Sequence, residues 1–219
     1  MTVVGDVDQV AAPWGTRRWA DTLDVIAPDR WERRELTVNY RTPSEIMAVA
    51  ADVLRAVDPE AVPPSSVRDA GQQPLAHRVA GDALLTEVVV EVAGAARAAV
   101  GDGRLAVLTA VDDYGGVRDA LVAEFADAVG TGAVGLDSPI AVMEVTEAKG
   151  LEFDAVVLVR PESWLATGER GLRDLYVALT RATQRLDVVH SEPLPEVLSR
   201  LGSGDSDEQI GPVSLVGAP

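Results

Sequence analysis

The stretch that decides the fold is Ile140-Ala141-Val142-Met143, then Glu144-Val145-Thr146-Glu147-Ala148-Lys149-Gly150-Leu151-Glu152-Phe153-Asp154, then Ala155-Val156-Val157-Leu158-Val159. Two apolar runs flank a polar loop. The second run is apolar at every position, as a parallel strand covered on both faces requires. Downstream, a helix is expected from about Leu172 to Thr183, then a strand at Leu186-Asp187-Val188-Val189. Upstream, Leu105-Ala106-Val107-Leu108 reads as a strand followed by a helix from about Val117 to Val129, and a further helix covers roughly 82–100. Strands alternating with helices predict a doubly wound, mainly parallel α/β sheet.

At the front of this region Leu36-Thr37-Val38 reads as a short strand. Thr42-Pro43-Ser44-Glu45 fits a helix start, with apolar positions Ile46, Ala50, Val53, Leu54 and Val57 on one face until Asp58-Pro59 stops it. Residues 58–74 read as a loop, and the text beyond Leu201 as a flexible tail. Thr2-Val3-Val4 resembles a strand already under way, so the chain is expected to be the latter part of a longer protein.

Composition narrows the function classes. The 219 residues carry 35 acidic and 19 basic side chains, a formal net charge of −16. That surplus argues against an autonomous nucleic-acid binder, since phosphate affinity rests mostly on lysine and arginine. Cysteine is absent, which excludes disulfides, thiolate zinc sites and cysteine nucleophiles, and two histidines leave little for a histidine metal site. No apolar run reaches membrane-spanning length and no signal peptide opens the chain; the expected location is the cytoplasm.

Three polar clusters are expected at or near the carboxyl ends of the strands, where ligands of such sheets bind. In Asn39-Tyr40-Arg41, the ring can stack a base and the guanidinium can fork onto an anion. Equally, Tyr40 can pack the core edge and Arg41 can pair with a surface carboxylate. In Thr146–Phe153, Lys149-Gly150 lacks the upstream glycine of a phosphate loop; Glu152 can accept ribose hydroxyls, or the segment is a charged turn between buried strands. On the last helix, Leu172, Leu175, Tyr176 and Leu179 form the buried stripe, so helical geometry turns Arg181 to the opposite side, either solvated or aimed at something docked there.

The order of these clusters carries more than any one of them. Gly5-Asp6-x-x-Gln9, Asn39-Tyr40-Arg41, Ala148-Lys149-Gly150-Leu151-Glu152-Phe153 and Leu175-Tyr176-Val177-Ala178-Leu179-Thr180-Arg181-Ala182 resemble motifs III, IV, V and VI of UvrD/Rep-type superfamily 1 helicases. The wording of residues 177–190, with Glu192-Pro193-Leu194-Pro195 after it, is similar to the actinobacterial HelD branch, helicase-like factors that release and recycle RNA polymerase.

The resemblance implies a RecA-like fold. Residues 1–34 would be a remnant of a first RecA-like domain, 35–201 the second, and 202–219 a tail. ATP would lie between the two domains. Tyr40 would stack on adenine, Arg41 would contact the γ-phosphate, and Gly150 would approach the phosphates by its backbone. Glu152 would hold the ribose, Gln9 would sense the γ-phosphate, and Arg181 would be the arginine finger. Trp14 would stack on single-stranded DNA or staple its own turn, and Thr146 stands where processive members usually carry a histidine on the nucleic-acid strand. No Gly-x-x-x-x-Gly-Lys-[Ser/Thr] occurs, so the first domain would supply the phosphate cradle and the Mg²⁺ ligands, and this chain alone is not expected to hydrolyse ATP. The alternative is a non-enzymatic docking module for RNA polymerase or another basic partner.

Overall fold

The computed structural model describes residues 2–5, 18–34, 36–81 and 84–204, with the side chains of 133 and 134 left aside. Gln9 and Trp14 therefore lie outside the described residues, as does 205–219 of the expected tail. The elements are α1 (Trp19–Ile26), β1 (Val38–Asn39), α2 (Ser44–Val57), β2 (Ser65–Ser66), β3 (Leu75–Arg78), α3 (Leu85–Val100), β4 (Leu105–Thr109), α4 (Val111–Phe125), β5 (Val129–Thr131), β6 (Ile140–Glu144), β7 (Phe153–Val159), α5 (Pro161–Leu165), α6 (Glu169–Leu179), β8 (Ala182–His190) and β9 (Gly202–Ser203).

Seven strands form one sheet in the order β5-β6-β4-β7-β8-β3-β9, and every pairing in it is parallel. Its strands bury both faces, with alternate residues feeding two cores. Ala106 and Leu108 of β4 pack with Ile46, Val49 and Val53 of α2 and Leu175 and Leu179 of α6. Leu105 and Val107 pack on the other side with Val89 and Val92 of α3 and Leu121 of α4. The doubly wound expectation holds, and the sheet is parallel throughout.

The front of the domain differs from expectation. Among the described residues β1 pairs with β2 alone, Val38 opposite Ser65, in a separate two-stranded ribbon. The edge of the main sheet is filled instead by β3 and β9, where Gly202–Ser203, the first two residues of the expected tail, pair with Leu75–Ala76. The expected cap on α2 also shifts. Pro43 is the residue before the helix, without a side-chain cap. Asn39 Oδ1 accepts the N–H groups of Arg41 and Thr42, fixing the turn out of β1, and Glu45 accepts those of Ala70 and Gly71, tying down the loop. Before β1, α1 buries none of its side chains.

Candidate functional site

Part of the polar set stands at the opposite end of the sheet from the one expected. Glu152 immediately precedes β7 and Arg181 immediately precedes β8, and Phe153 pairs with Ala182 in parallel register. Both residues therefore stand at the amino ends of their strands. The reason is the connection 145–152. It leaves β6 at the carboxyl end, where the Val145 N–H donates to the Thr109 carbonyl, and runs back along the sheet to begin β7. Thr146 stays near the carboxyl end, exposed, while Lys149, Gly150 and Glu152 are carried toward the amino end.

At that end Arg41 meets Glu152 in an ion pair, bringing the turn after β1 onto the segment before β7. Beside it Tyr40 is 72 % exposed, so it is not the core-edge residue of the plainer reading. Arg41 does pair with a carboxylate, and that carboxylate belongs to the candidate set. Gly150 has φ +80°, and a Cβ built there would touch nothing within 4 Å. Glycine is favoured at that position by its backbone, and the space beside it is open to a ligand.

Arg181 does not point out of the domain. The helix expected to reach Thr183 ends at Leu179, so the helical-wheel angle no longer applies to a residue two positions beyond it. The chain turns at Thr180 and folds Arg181 inward, where it is 5 % exposed. Its Nε donates to the Val177 carbonyl at 3.0 Å, Nη1 to the Leu151 carbonyl at 3.0 Å, and Nη2 to Thr180 Oγ1 at 3.1 Å. A guanidinium at the carboxyl end of a helix is favourably placed against the last carbonyls. Asp174, on α6 and seven residues before Arg181, faces the same loop: burial pushes its carboxyl up, opposed by the charges of Arg170 and Lys149.

A second polar network is harder to read from sequence. On β8, Asp187 is fully buried, and its Oδ1 lies 2.9 Å from His77 Nε2 of β3. Arg185 donates to the same carboxylate, Nε to Oδ2 at 2.6 Å and Nη2 to Oδ1 at 3.1 Å. Burial alone would push the Asp187 carboxyl up; the bonds and charges of His77 and Arg185 outweigh it and hold the group below its ordinary range. The available signal was one acid inside the apolar run Leu186-Asp187-Val188-Val189, which needs a buried partner. Among the described residues, no group of three His, Cys, Asp or Glu is arranged to hold a metal ion, and no helix is long and apolar enough to cross a membrane.

The seven-stranded, all-parallel sheet flanked by helices on both faces is a fold shared with proteins of known structure. Among 58 matching chains of solved structure is the C-terminal domain of a possible DNA helicase from Lactobacillus plantarum WCFS1, with a TM-score of 0.57 at 20 % identity, over 75 % of this chain and 94 % of that one. Residues 139–189, from the start of β6 into β8, match the family model of the UvrD-like helicase C-terminal domain. That span holds Thr146, Gly150, Glu152 and Arg181. Comparison with curated proteins finds no match.

Proposed function

We propose that this chain supplies one half of the ATP site of a superfamily 1 helicase-like motor, the other half coming from a first RecA-like domain. The observation that carries this reading is the meeting of Arg41 with Glu152 beside the exposed Tyr40 and the open flank of Gly150. In the reading, Tyr40 stacks on adenine, Arg41 takes the γ-phosphate in place of Glu152, and Glu152 turns to the ribose hydroxyls. The backbone of Gly150 approaches the phosphates. The Mg²⁺ ligands and the phosphate cradle belong to the partner domain. Arg181 acts as the arginine finger once it leaves the Val177 and Leu151 carbonyls, and Gln9 and Trp14 complete the γ-phosphate and single-stranded DNA contacts.

Within that class the wording of residues 177–195 and the charge of −16 favour a HelD-like motor working on RNA polymerase in the cytoplasm over a DNA-wrapping helicase. The second reading, a docking module without catalysis, is favoured by the burial of Arg181 against its own domain. One experiment separates the two. The chain is mixed with a separately made first RecA-like domain and ATP turnover is measured, with Arg181→Ala as the comparison. The motor reading expects turnover in the mixture and a fall of roughly 10³–10⁵-fold in the variant. No turnover above that of the first domain alone supports the module, and equal turnover in wild type and variant removes Arg181 from catalysis.

A further inference from the structure

Arg181 grips the segment that carries Glu152 from both sides. Its Nη1 donates to the carbonyl of Leu151 at 3.0 Å, and its own carbonyl accepts the N–H of Phe153 at 3.0 Å. The residues before and after Glu152 are thus fixed to a single residue. The guanidinium is in turn anchored to the end of α6 through Val177 and Thr180. Thr180 adds to that anchor, its hydroxyl donating to the Tyr176 and Val177 carbonyls, each at 3.0 Å. Glu152, placed this way, meets Arg41 across the surface, where the two side chains are 36 % and 68 % exposed.

An exposed pair of that kind orders two long side chains against their rotamer entropy and is often worth nothing measurable. Fixing the backbone of one partner removes part of that cost. We infer that Arg181 is a positioning residue: it holds Glu152 where Glu152 can hold Arg41, so that the end of α6, the start of β7 and the turn after β1 act as one line of three side chains. The inference rests on the half-site reading for its functional meaning, in which a nucleotide entering the site would have to break this line.

The test uses no nucleotide, so its failure and that of the half-site reading are separate events. A double-mutant cycle of Arg41→Gln and Glu152→Gln is measured by chemical unfolding of the full chain, first in the wild-type background and then with Arg181→Lys. The wild-type cycle is expected to show a coupling of about two- to five-fold in the unfolding equilibrium constant. With Arg181→Lys the coupling is expected to vanish. Lysine keeps the charge at the helix end and reaches one carbonyl, but it cannot hold Val177 and Leu151 together as a planar fork does. A role confined to helix-end charge would survive that substitution. Arg181→Gln is the second background, and whichever variant keeps a cooperative unfolding transition decides the matter. A cycle that persists in that variant, or that is absent from the wild-type chain, overturns the inference.

Discussion

Replacing Asp187 by Asn tests the account of the sheet edge most directly. The carboxylate is fully buried and receives three short contacts, from His77 Nε2 at 2.9 Å and from Arg185 at 2.6 and 3.1 Å. An amide in the same place has one oxygen for three donors, and its NH₂ faces either the Arg185 or the His77 N–H, donor against donor. Breaking a buried charge pair by removing one partner costs about 3–5 kcal/mol. In a domain of this size each kcal/mol lowers Tm by about 2–4 °C, so the expected shift is roughly 6–20 °C. The assay is thermal and guanidinium unfolding followed by circular dichroism across pH. The unfolded carboxyl takes up its proton near pH 4, whereas the folded one is held to lower pH by His77 and Arg185. Its contribution is therefore complete above about pH 4 and is lost as pH falls below that, so Asp187→Asn should flatten the acid limb of the stability profile as well as lowering the plateau. A loss under about 1 kcal/mol at pH 7, with an unchanged acid limb, would refute the network as a stabilising element.

Other outcomes follow from single contacts. Gly171→Ala would place a Cβ 1.8 Å from the Trp164 carbonyl oxygen, forcing α5 and α6 apart, and should cost about 1–3 kcal/mol or more. Gly94→Ala, whose Cβ would meet only the Phe125 ring at 3.5 Å, should raise Tm by helix propensity, and the two variants are compared by melting. Asp174 behaves oppositely to Asp187: its folded carboxyl lies above the ordinary value, so its contribution is present in acid and lost as pH rises through that raised value. Asp174→Asn should then leave stability at pH 7 unchanged or raise it by about 0.5 kcal/mol, and a loss above about 1 kcal/mol would contradict the burial argument. Gly150→Ala should cost about 1 kcal/mol of stability from its backbone angle alone, while cutting ATP turnover in the two-domain mixture by more than that cost explains.

What could be read from the residues follows from how each element is buried. β6 and β7 are covered on both faces, so their strands are nearly continuous apolar text, whereas β8 was legible only at Leu186–Val189, after the polar stretch Thr183-Gln184-Arg185. β3 escaped because His77 and Arg78 interrupt that pattern, and only Asp187 on the neighbouring strand makes a buried His77 tolerable. β5 escaped because Val129-Gly130-Thr131 lies at the sheet edge and is only partly buried. α4 begins straight after β4 with two aspartates and a glycine pair in its early turns, so its apolar stripe becomes visible only from Val117. At the candidate site, the resemblance to ordered motifs grouped Tyr40, Arg41, Gly150, Glu152 and Arg181, and of these Arg41 and Glu152 meet in an ion pair. Their end of the sheet depended on the path of 145–152, and the direction of Arg181 on where α6 stops; neither is encoded in a local period.

That path has a mechanical side. The eight residues 145–152 begin at the carboxyl end of β6 and finish at the amino end of β7, a strand of seven residues. Fully drawn out they span roughly 26–29 Å, against about 23 Å of strand to run past. Val145 and Ala148 are buried against the sheet on the way, and Leu151 packs against the same core. The segment makes the crossing through consecutive turns, the N–H groups of Glu147, Ala148 and Leu151 donating to the Glu144, Val145 and Ala148 carbonyls. Two surfaces on opposite ends of the sheet, Thr146 at one and Glu152 at the other, are thereby joined by a single length of chain folded into bonded turns.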